Sequence, residues 1–316
     1  MNYYVIAYYI FTPIADPMLE IKKHKDFFKN REMKGRIYIS EEGINAQLSG
    51  LKPHATEYME WMKQDDRFKN IDFKLHHYQD NAFAKMTVKY KRQLVALDEQ
   101  VDMSLTGVHL NSHDWDAMLE KRDENTVIID TRNRYEWEVG HFEGAELPEV
   151  DTFREFKGYT KDLSEKRDPS KTRVMMYCTG GIRCELYSAY MKKFGFEEIY
   201  QLNGGVIRYG LEENSNKWRG KLFVFDDRMV VPISEKQDET LTHCKFCEAK
   251  VDHYYNCANM DCNDLFIACK SCLEKEQGCC CDSCKSGRVR PLDLADNKPF
   301  RRLPHSFKQE LSKTAN

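Results

Sequence analysis

The 316-residue sequence has no run of apolar residues long enough to cross a bilayer. Its one apolar N-terminal stretch, Tyr3 to Ile14, has no basic residue ahead of it and no small-residue cleavage site behind it. Neither a membrane segment nor a secretory signal is expected, and the cytoplasm is the expected compartment. Neither sign of charge is in excess: 48 Lys and Arg against 51 Asp and Glu give a net charge of -3. That excludes a strong whole-molecule attraction to nucleic acid and leaves only local basic surface. With nine prolines and no low-complexity tract, extended disorder is excluded as well. The chain also lacks a nucleotide-cofactor motif, a haem attachment sequence and a two-His-one-carboxylate iron pattern. Cysteine is nearly missing from the first 243 residues, where it occurs only at 178 and 184, although the whole chain has twelve. Outside an oxidising compartment these thiols read as catalytic or metal-binding rather than as a disulfide framework.

What is present begins with Cys178-Thr179-Gly180-Gly181-Ile182-Arg183-Cys184, between an apolar strand pattern at Val174 to Tyr177 and a helical pattern from Glu185 to Met191. A loop that ends in a helix N-terminus turns backbone N–H groups into its own hollow, and Arg183 adds a fixed positive charge. Both favour the thiolate of Cys178. Gly180 and Gly181 are expected to let the backbone turn inward without strain. Cys184 reads either as a thiol that resolves an oxidised or persulfidated Cys178, or as a small core residue of the helix.

Residues 1–95 alternate strand and helix signals in the order of a ferredoxin-like α+β domain: strands at Tyr3 to Phe11, Gly35 to Ser40, Ile44 to Leu48, Ile71 to Leu75 and Phe83 to Tyr90, with helices at Pro17 to Glu32 and Pro53 to Lys63. Lys74, Lys85, Lys89, Lys91 and Arg92 interleave there with His76, His77, Tyr78 and Tyr90, a mixture able to hold an RNA backbone and stack its bases. Lys85 and Lys89 are the candidate RNA contacts. Leu97 to Asp102 reads as a linker. The Asn203-Gly204-Gly205-Val206 segment after the strand Glu198 to Leu202 suits close backbone approach.

From Cys244 to Cys284 the chain changes character, with pairs Cys244/Cys247, Cys257/Cys262 and Cys269/Cys272, then Cys279, Cys280, Cys281 and Cys284. Pairs two residues apart reach one tetrahedral ion from a single turn, so two closed four-sulfur zinc sites are expected. Consecutive and interleaved pairings both satisfy the count. Interleaving is favoured, with Cys244, Cys247, Cys269 and Cys272 on one ion and Cys257, Cys262, Cys284 and a clustered cysteine on the other. With few apolar residues to bury, the module is expected to need its metal to fold. The basic residues beyond it, Lys285, Arg288, Arg290, Lys298, Arg301, Arg302 and Lys308, are candidates for phosphate contact, Arg288 and Arg290 foremost.

Val127 to Arg132, Tyr135-Glu136-Trp137, Gly140 to Ala145 and the Cys178 loop resemble the rhodanese family in order and spacing, over residues 103–225. In that family the loop cysteine carries a persulfide, and four residues between cysteine and arginine, as here, suit a sulfur-sized ligand. Together with Glu42-Gly43-Ile44-Asn45 and the cysteine-rich third from 240 to 316, the whole chain resembles the bacterial rhodanese-domain tRNA uridine hydroxylases. The resemblance implies a multi-domain α/β protein: a ferredoxin-like domain, a rhodanese-like α/β domain and a small zinc-binding module. It implies oxygen-dependent conversion of wobble uridine 34 to 5-hydroxyuridine, with tRNA held at its anticodon region and molecular oxygen as co-substrate. It also implies that Cys178 is the essential cysteine, Arg183 shapes its pocket, Asp130 and Arg132 support the loop, and Cys280 completes the second zinc site. A plain sulfurtransferase and a non-catalytic adaptor are the rival readings. The residues carry no signal for an oligomeric state.

Overall fold

Along Tyr3–Phe11 alternate side chains are apolar and buried, which sets the first strand, β1, with one face on a core. Asp16 then caps helix α1 (Pro17–Phe28), its carboxylate accepting the Leu19 N–H at 2.9 Å with Pro17 in the first turn. The helix stops short of the predicted Glu32, where Arg31 turns back to donate to the Phe27 carbonyl. β2 (Met33–Ser40), β3 (Gly43–Leu51), α2 (Lys52–Lys63), β4 (Lys74–Tyr78) and β5 (Met86–Tyr90) follow. The sheet order is β4-β1-β3-β2-β5, a ferredoxin-like sheet with a fifth strand added parallel to β2. The computed structural model describes residues 2–212, 217–234 and 239–292.

Alternation sends Ile6, Tyr8, Ile37, Ile39, Ile44, Ala46 and Leu48 into the core with Tyr58, Phe28 and Phe68. It leaves Ala7, Tyr9, Arg36, Tyr38, Asn45 and Gln47 on the opposite face. The strand predicted at Ile71 to Leu75 begins at Lys74 instead, because Ile71 closes a turn onto the Phe68 carbonyl and is itself buried.

The expected linker is not one. Val95 and Leu97 are buried in the core of the following domain, with Val101 and Met103 packed against it, and Asp98 and Glu99 pair with Arg154 and Lys157. Apolar residues at alternate positions made this strap adhere where a solvated linker would have hung free. Residues 1–238 accordingly form one compact unit, and residues 239–316 another.

The second half of the first unit has β6 (Val108–Leu110), α3 (Ser112–Glu120), β7 (Thr126–Asp130), α4 (Arg134–Trp137), β8 (Gly140–Phe142), α5 (Phe156–Lys166), β9 (Arg173–Tyr177), α6 (Ile182–Lys192), β10 (Glu198–Leu202) and α7 (Gly205–Leu211). β6-β10-β9-β7 is an all-parallel sheet, and the unbroken apolar runs of β7 and β9 reflect burial on both of its faces. β11 (Trp218–Gly220) pairs with β8, and a short hairpin of β12 (Leu222–Phe223) and β13 (Val230–Val231) follows. Leu222, Val224 and Ile233 join the same core as Trp115 and Trp218, so the packing extends beyond residue 225.

The described residues of the second unit include two short strands, β14 (Tyr254–Asn256) and β15 (Leu265–Ile267), and two short helices, α8 (Lys270–Lys275) and α9 (Asp282–Lys285). Of the nine buried residues in its core, five are cysteines. No helix among the described residues is long and apolar enough to cross a membrane.

Candidate active site and cysteine clusters

The carboxyl ends of parallel strands are where an α/β sheet offers a ligand crevice. Here β9 ends in Cys178, β7 in Asp130 to Arg132, and β10 in the Asn203 to Gly205 turn. Cys178 is fully buried, and the Gly181 N–H donates to its Sγ at 3.0 Å. Burial alone would raise its pKa. A hydrogen bond from Cys184, the Arg183 charge and the Arg183 and Gly181 N–H groups outweigh it and bring the thiol down to about 5. Cys184 is pushed the other way by burial and by the neighbouring thiolate, so it keeps its proton and donates it. Thr131 lies behind Cys184, its Oγ1 3.5 Å from that sulfur and donating to the Tyr177 carbonyl at 2.9 Å.

Of the two loop glycines, one is required by the backbone. Gly181 has φ +101°, and a Cβ there would meet the Tyr9 hydroxyl at 2.9 Å, whereas a Cβ on Gly180 would have nothing within 4 Å. The turn at Gly205 carries the predicted close approach: φ is +66°, and a Cβ would lie 2.5 Å from the Cys178 carbonyl oxygen. The N–H groups of Val206 and Ile207 donate to the Cys178 and Thr179 carbonyls at 3.0 Å each, so α7 holds the catalytic loop from below.

Arg183 does not point freely at the sulfur. It makes a bidentate pair with Glu136 at 2.6 and 2.7 Å, and Glu136 also accepts from Thr179 Oγ1 at 3.0 Å. Burial would raise the Glu136 pKa, but the Arg183 guanidinium holds it below the usual carboxylate range. Asp130 and Arg132, expected to support the loop, stand one shell further out. Arg132 is fully buried, bridges both Asp130 oxygens, and donates to the carbonyls of Glu136 and Gly140 at 3.2 and 2.6 Å. They position Glu136 and do not touch Cys178. Glu136 carried no role in the sequence reading; its one local signal was a capping box with Asn133, which marks a helix start rather than a site.

A cavity of about 350 Å³ opens over Cys178, Thr179, Gly180, Ile182 and Arg183. Its far wall is the polar face of the N-terminal sheet, with Tyr9, Tyr38, Asn45, Gln47 and Lys74. The Tyr9 hydroxyl donates to Glu185 at 3.0 Å, and Glu185 also bonds His109 at 2.8 Å and Gln201 at 3.3 Å, tying sheet to loop. Among the proposed RNA contacts, Lys85 and Lys89 are exposed, and Lys89 stands opposite Tyr38 in the strand register. Lys74 is instead buried. Arg288 pairs with Asp261, and Arg290 donates to the Cys257 carbonyl at 2.6 Å and to Asn263 at 3.1 Å, which gives it a structural task. Lys298, Arg301, Arg302 and Lys308 lie outside the described residues.

The cysteines of the second unit gather as two groups, Cys244, Cys247, Cys269 and Cys272, and Cys257, Cys262, Cys280 and Cys284, the thiols of each within 4.8 Å of one another. Sulfur separations are 3.7 Å for Cys247 to Cys269 and for Cys262 to Cys280, and 3.8 Å for Cys280 to Cys284. Tetrahedral zinc with bonds of about 2.3 Å needs sulfurs about 3.8 Å apart, so both groups fit such an ion. The pairs alternate along the chain, the interleaved arrangement, with Cys280 in the second set. Cys281 is exposed beside that set, 3.5 Å from Cys284.

Residues 3–94 match the UPF0176 acylphosphatase like domain, residues 114–210 the Rhodanese-like domain, and residues 219–285 the Rhodanase C-terminal domain. The tRNA uridine(34) hydroxylase of Protochlamydia amoebophila is 51% identical over 313 residues, covering 98% of each chain. The chain belongs to the tRNA uridine(34) hydroxylase family. The hydroxylases of Chlamydia trachomatis serovar L2 and Chlamydia felis are 52% and 51% identical, over 95% and 96% of this chain and 93% and 94% of theirs. Family membership places an oxidising enzyme's name on a site whose built features are a buried thiol favoured as thiolate and a half-open cavity over it.

Proposed function

We propose that this protein hydroxylates uridine 34 of tRNA to 5-hydroxyuridine, with Cys178 as the reacting group and molecular oxygen as co-substrate. The observation that carries this reading is a thiolate-favouring loop facing a nucleoside-sized cavity, in a chain that aligns nearly end to end with named hydroxylases. Uridine 34 is unpaired in the anticodon loop, and unpaired bases are the ones that can be splayed into a pocket. Arg183 is anchored by Glu136, and its charge and N–H, with Cys184 and the Gly181 N–H, keep the sulfur anionic. The two cysteine clusters bind zinc as closed structural sites, and the chain works in the cytoplasm. Exposed Lys85 and Lys89 are the phosphate contacts on the N-terminal sheet.

Nucleoside mass spectrometry of tRNA from a strain lacking the protein tests this. 5-Hydroxyuridine derivatives are expected to vanish, to return with the intact chain, and to stay absent with Cys178→Ser. Their persistence in the deletion strain would refute the reading. A loss of thiolated nucleosides with hydroxylation unchanged would point to sulfur transfer, which the four-residue spacing between Cys178 and Arg183 also suits.

A further inference from the structure

Lys74 does not behave as a strand lysine should. Its side chain is 3% exposed, and its Nζ lines the cavity above Cys178, 5.1 Å from the Tyr9 ring centroid. Its one acidic neighbour, Asp72, is 3.6 Å away, too far for a good hydrogen bond, and already pairs with Arg208. A buried ammonium without close acceptors is costly, and burial lowers its pKa. Among the described residues no acceptor lies within a good hydrogen-bond distance of its ammonium, and the residue lines the cavity.

The neighbouring positions are chemically specific too. The register places Ala7 opposite both Lys74 and Gln47, and Asn45 opposite both Tyr9 and Tyr38. The Asn45 and Gln47 side-chain amides line the same cavity and make no hydrogen bond within the described residues. An amide offers a donor and an acceptor together, which matches the alternating N–H and C=O edge of a pyrimidine imide. An ammonium offers donors alone. It accepts a carbonyl oxygen as partner and opposes an exocyclic amino group, the exchange at ring position 4 that, with N3 turning from donor to acceptor, distinguishes uracil from cytosine.

We propose that Lys74 is the specificity residue of this site, donating to the O4 carbonyl of a uracil ring turned into the cavity while Asn45 and Gln47 meet the ring's polar edge. The proposal rests on the hydroxylase reading above and adds the group that reads the base. A cavity near 350 Å³ is at the small end of the roughly 300–1,000 Å³ typical of ligand pockets, which suits one nucleoside extruded from its loop. A site built to bond a given polar group discriminates strongly against an analogue that cannot supply it.

The test is equilibrium binding of the full chain to three anticodon stem-loops that differ only in residue 34: uridine, cytidine or abasic. The unaltered protein is expected to favour uridine over cytidine by about tenfold or more. Lys74→Met should remove that preference by weakening the uridine stem-loop about tenfold, leaving cytidine and abasic binding in place, and Lys74→Arg should restore part of it. Asp72 keeps Arg208 as a partner in these variants, so the fold has a ready substitute. Gln47→Leu, on a half-buried sheet position, should weaken uridine and cytidine alike relative to the abasic loop. Lys74→Met weakening all three equally, or keeping the preference, would overturn the proposal, as would Gln47→Leu that changes nothing. Nucleoside analysis of the complemented strain separates the two failures. If 5-hydroxyuridine is made but the preference ignores Lys74, the inference alone is lost. If none is made, both readings fall.

Discussion

The two units of this protein use the same functional group, a cysteine thiolate, under opposite regimes. In the first unit two cysteines sit inside a core of Phe, Tyr, Met, Ile and Val side chains, and one is kept anionic by hydrogen bonds and a guanidinium. In the second, which carries ten cysteines, five of the nine buried residues in the core cluster of the described residues are cysteine. A thiolate becomes reactive where packing carries the fold and leaves the sulfur free of metal. In the second unit eight of the ten sulfurs are gathered in two groups that fit a tetrahedral ion, and a sulfur held by such an ion is chemically quiet.

The largest expected break in this contrast comes from metal removal. A strong chelator should release two zinc ions per chain, measured by elemental analysis, and unfold the second unit. The apparent binding energy of structural zinc is about 10–16 kcal/mol, more than a core of this size supplies. The calorimetric transition of the first unit should stay where it was. A single shared transition that shifts as a whole would show that the two units are not independently stabilised.

Next in size is Glu136→Leu, which leaves Arg183 as an unpaired buried charge. Unfolding of the first unit should lose about 3–5 kcal/mol, read from denaturant melts. Cys184 gives a finer discrimination. Alkylation of Cys178 by a small reagent should have its midpoint near pH 5, with the thiolate, and activity that depends on it, lost as pH falls through that value. Cys184→Ala removes a donor to the thiolate, so the midpoint moves up and alkylation at pH 6 slows about tenfold. Cys184→Ser retains a donor and should stay near the original profile. A dedicated resolving thiol would show the reverse pattern, with Ser and Ala equally defective in a disulfide readout. The smallest effects separate the two loop glycines: Gly181→Ala should cost about 1–2 kcal/mol from its positive φ, and Gly180→Ala less than about 0.5 kcal/mol.

What could be read from residues alone divides along the range of the forces involved. The β1 strand, the Cys178 loop and the alternating cysteine pairs are local patterns: periodicity, glycine between strand and helix, and two-residue spacing each act within a few positions. The choice of Cys280 among the clustered cysteines was not local: it came only with the family resemblance, and the structure groups Cys280 with Cys257, Cys262 and Cys284. Glu136 was not legible as a site residue because its partner, Arg183, is 47 positions away and the pairing depends on how two parallel strands end. Lys74 was legible only as one of the basic residues able to meet RNA, because alternation predicts which face it takes, not what lies over that face. Leu97 to Asp102 looked like a linker because its polar composition hid the contacts of Leu97 and Val101 with the next domain's core.

The alternation of the four cysteine pairs has a consequence for synthesis on the ribosome. Chain order runs first site, second site, first site, second site, so the pair at Cys257 and Cys262 emerges before the first ion can be enclosed and waits for a partner pair that appears last. With one ion to each group, a nascent chain ending anywhere before Cys284 would hold at most one finished site and one incomplete cage. Half-filled thiol cages are exposed to oxidants and to competing metals. The module therefore records, in its own chemistry, that translation has run past residue 284.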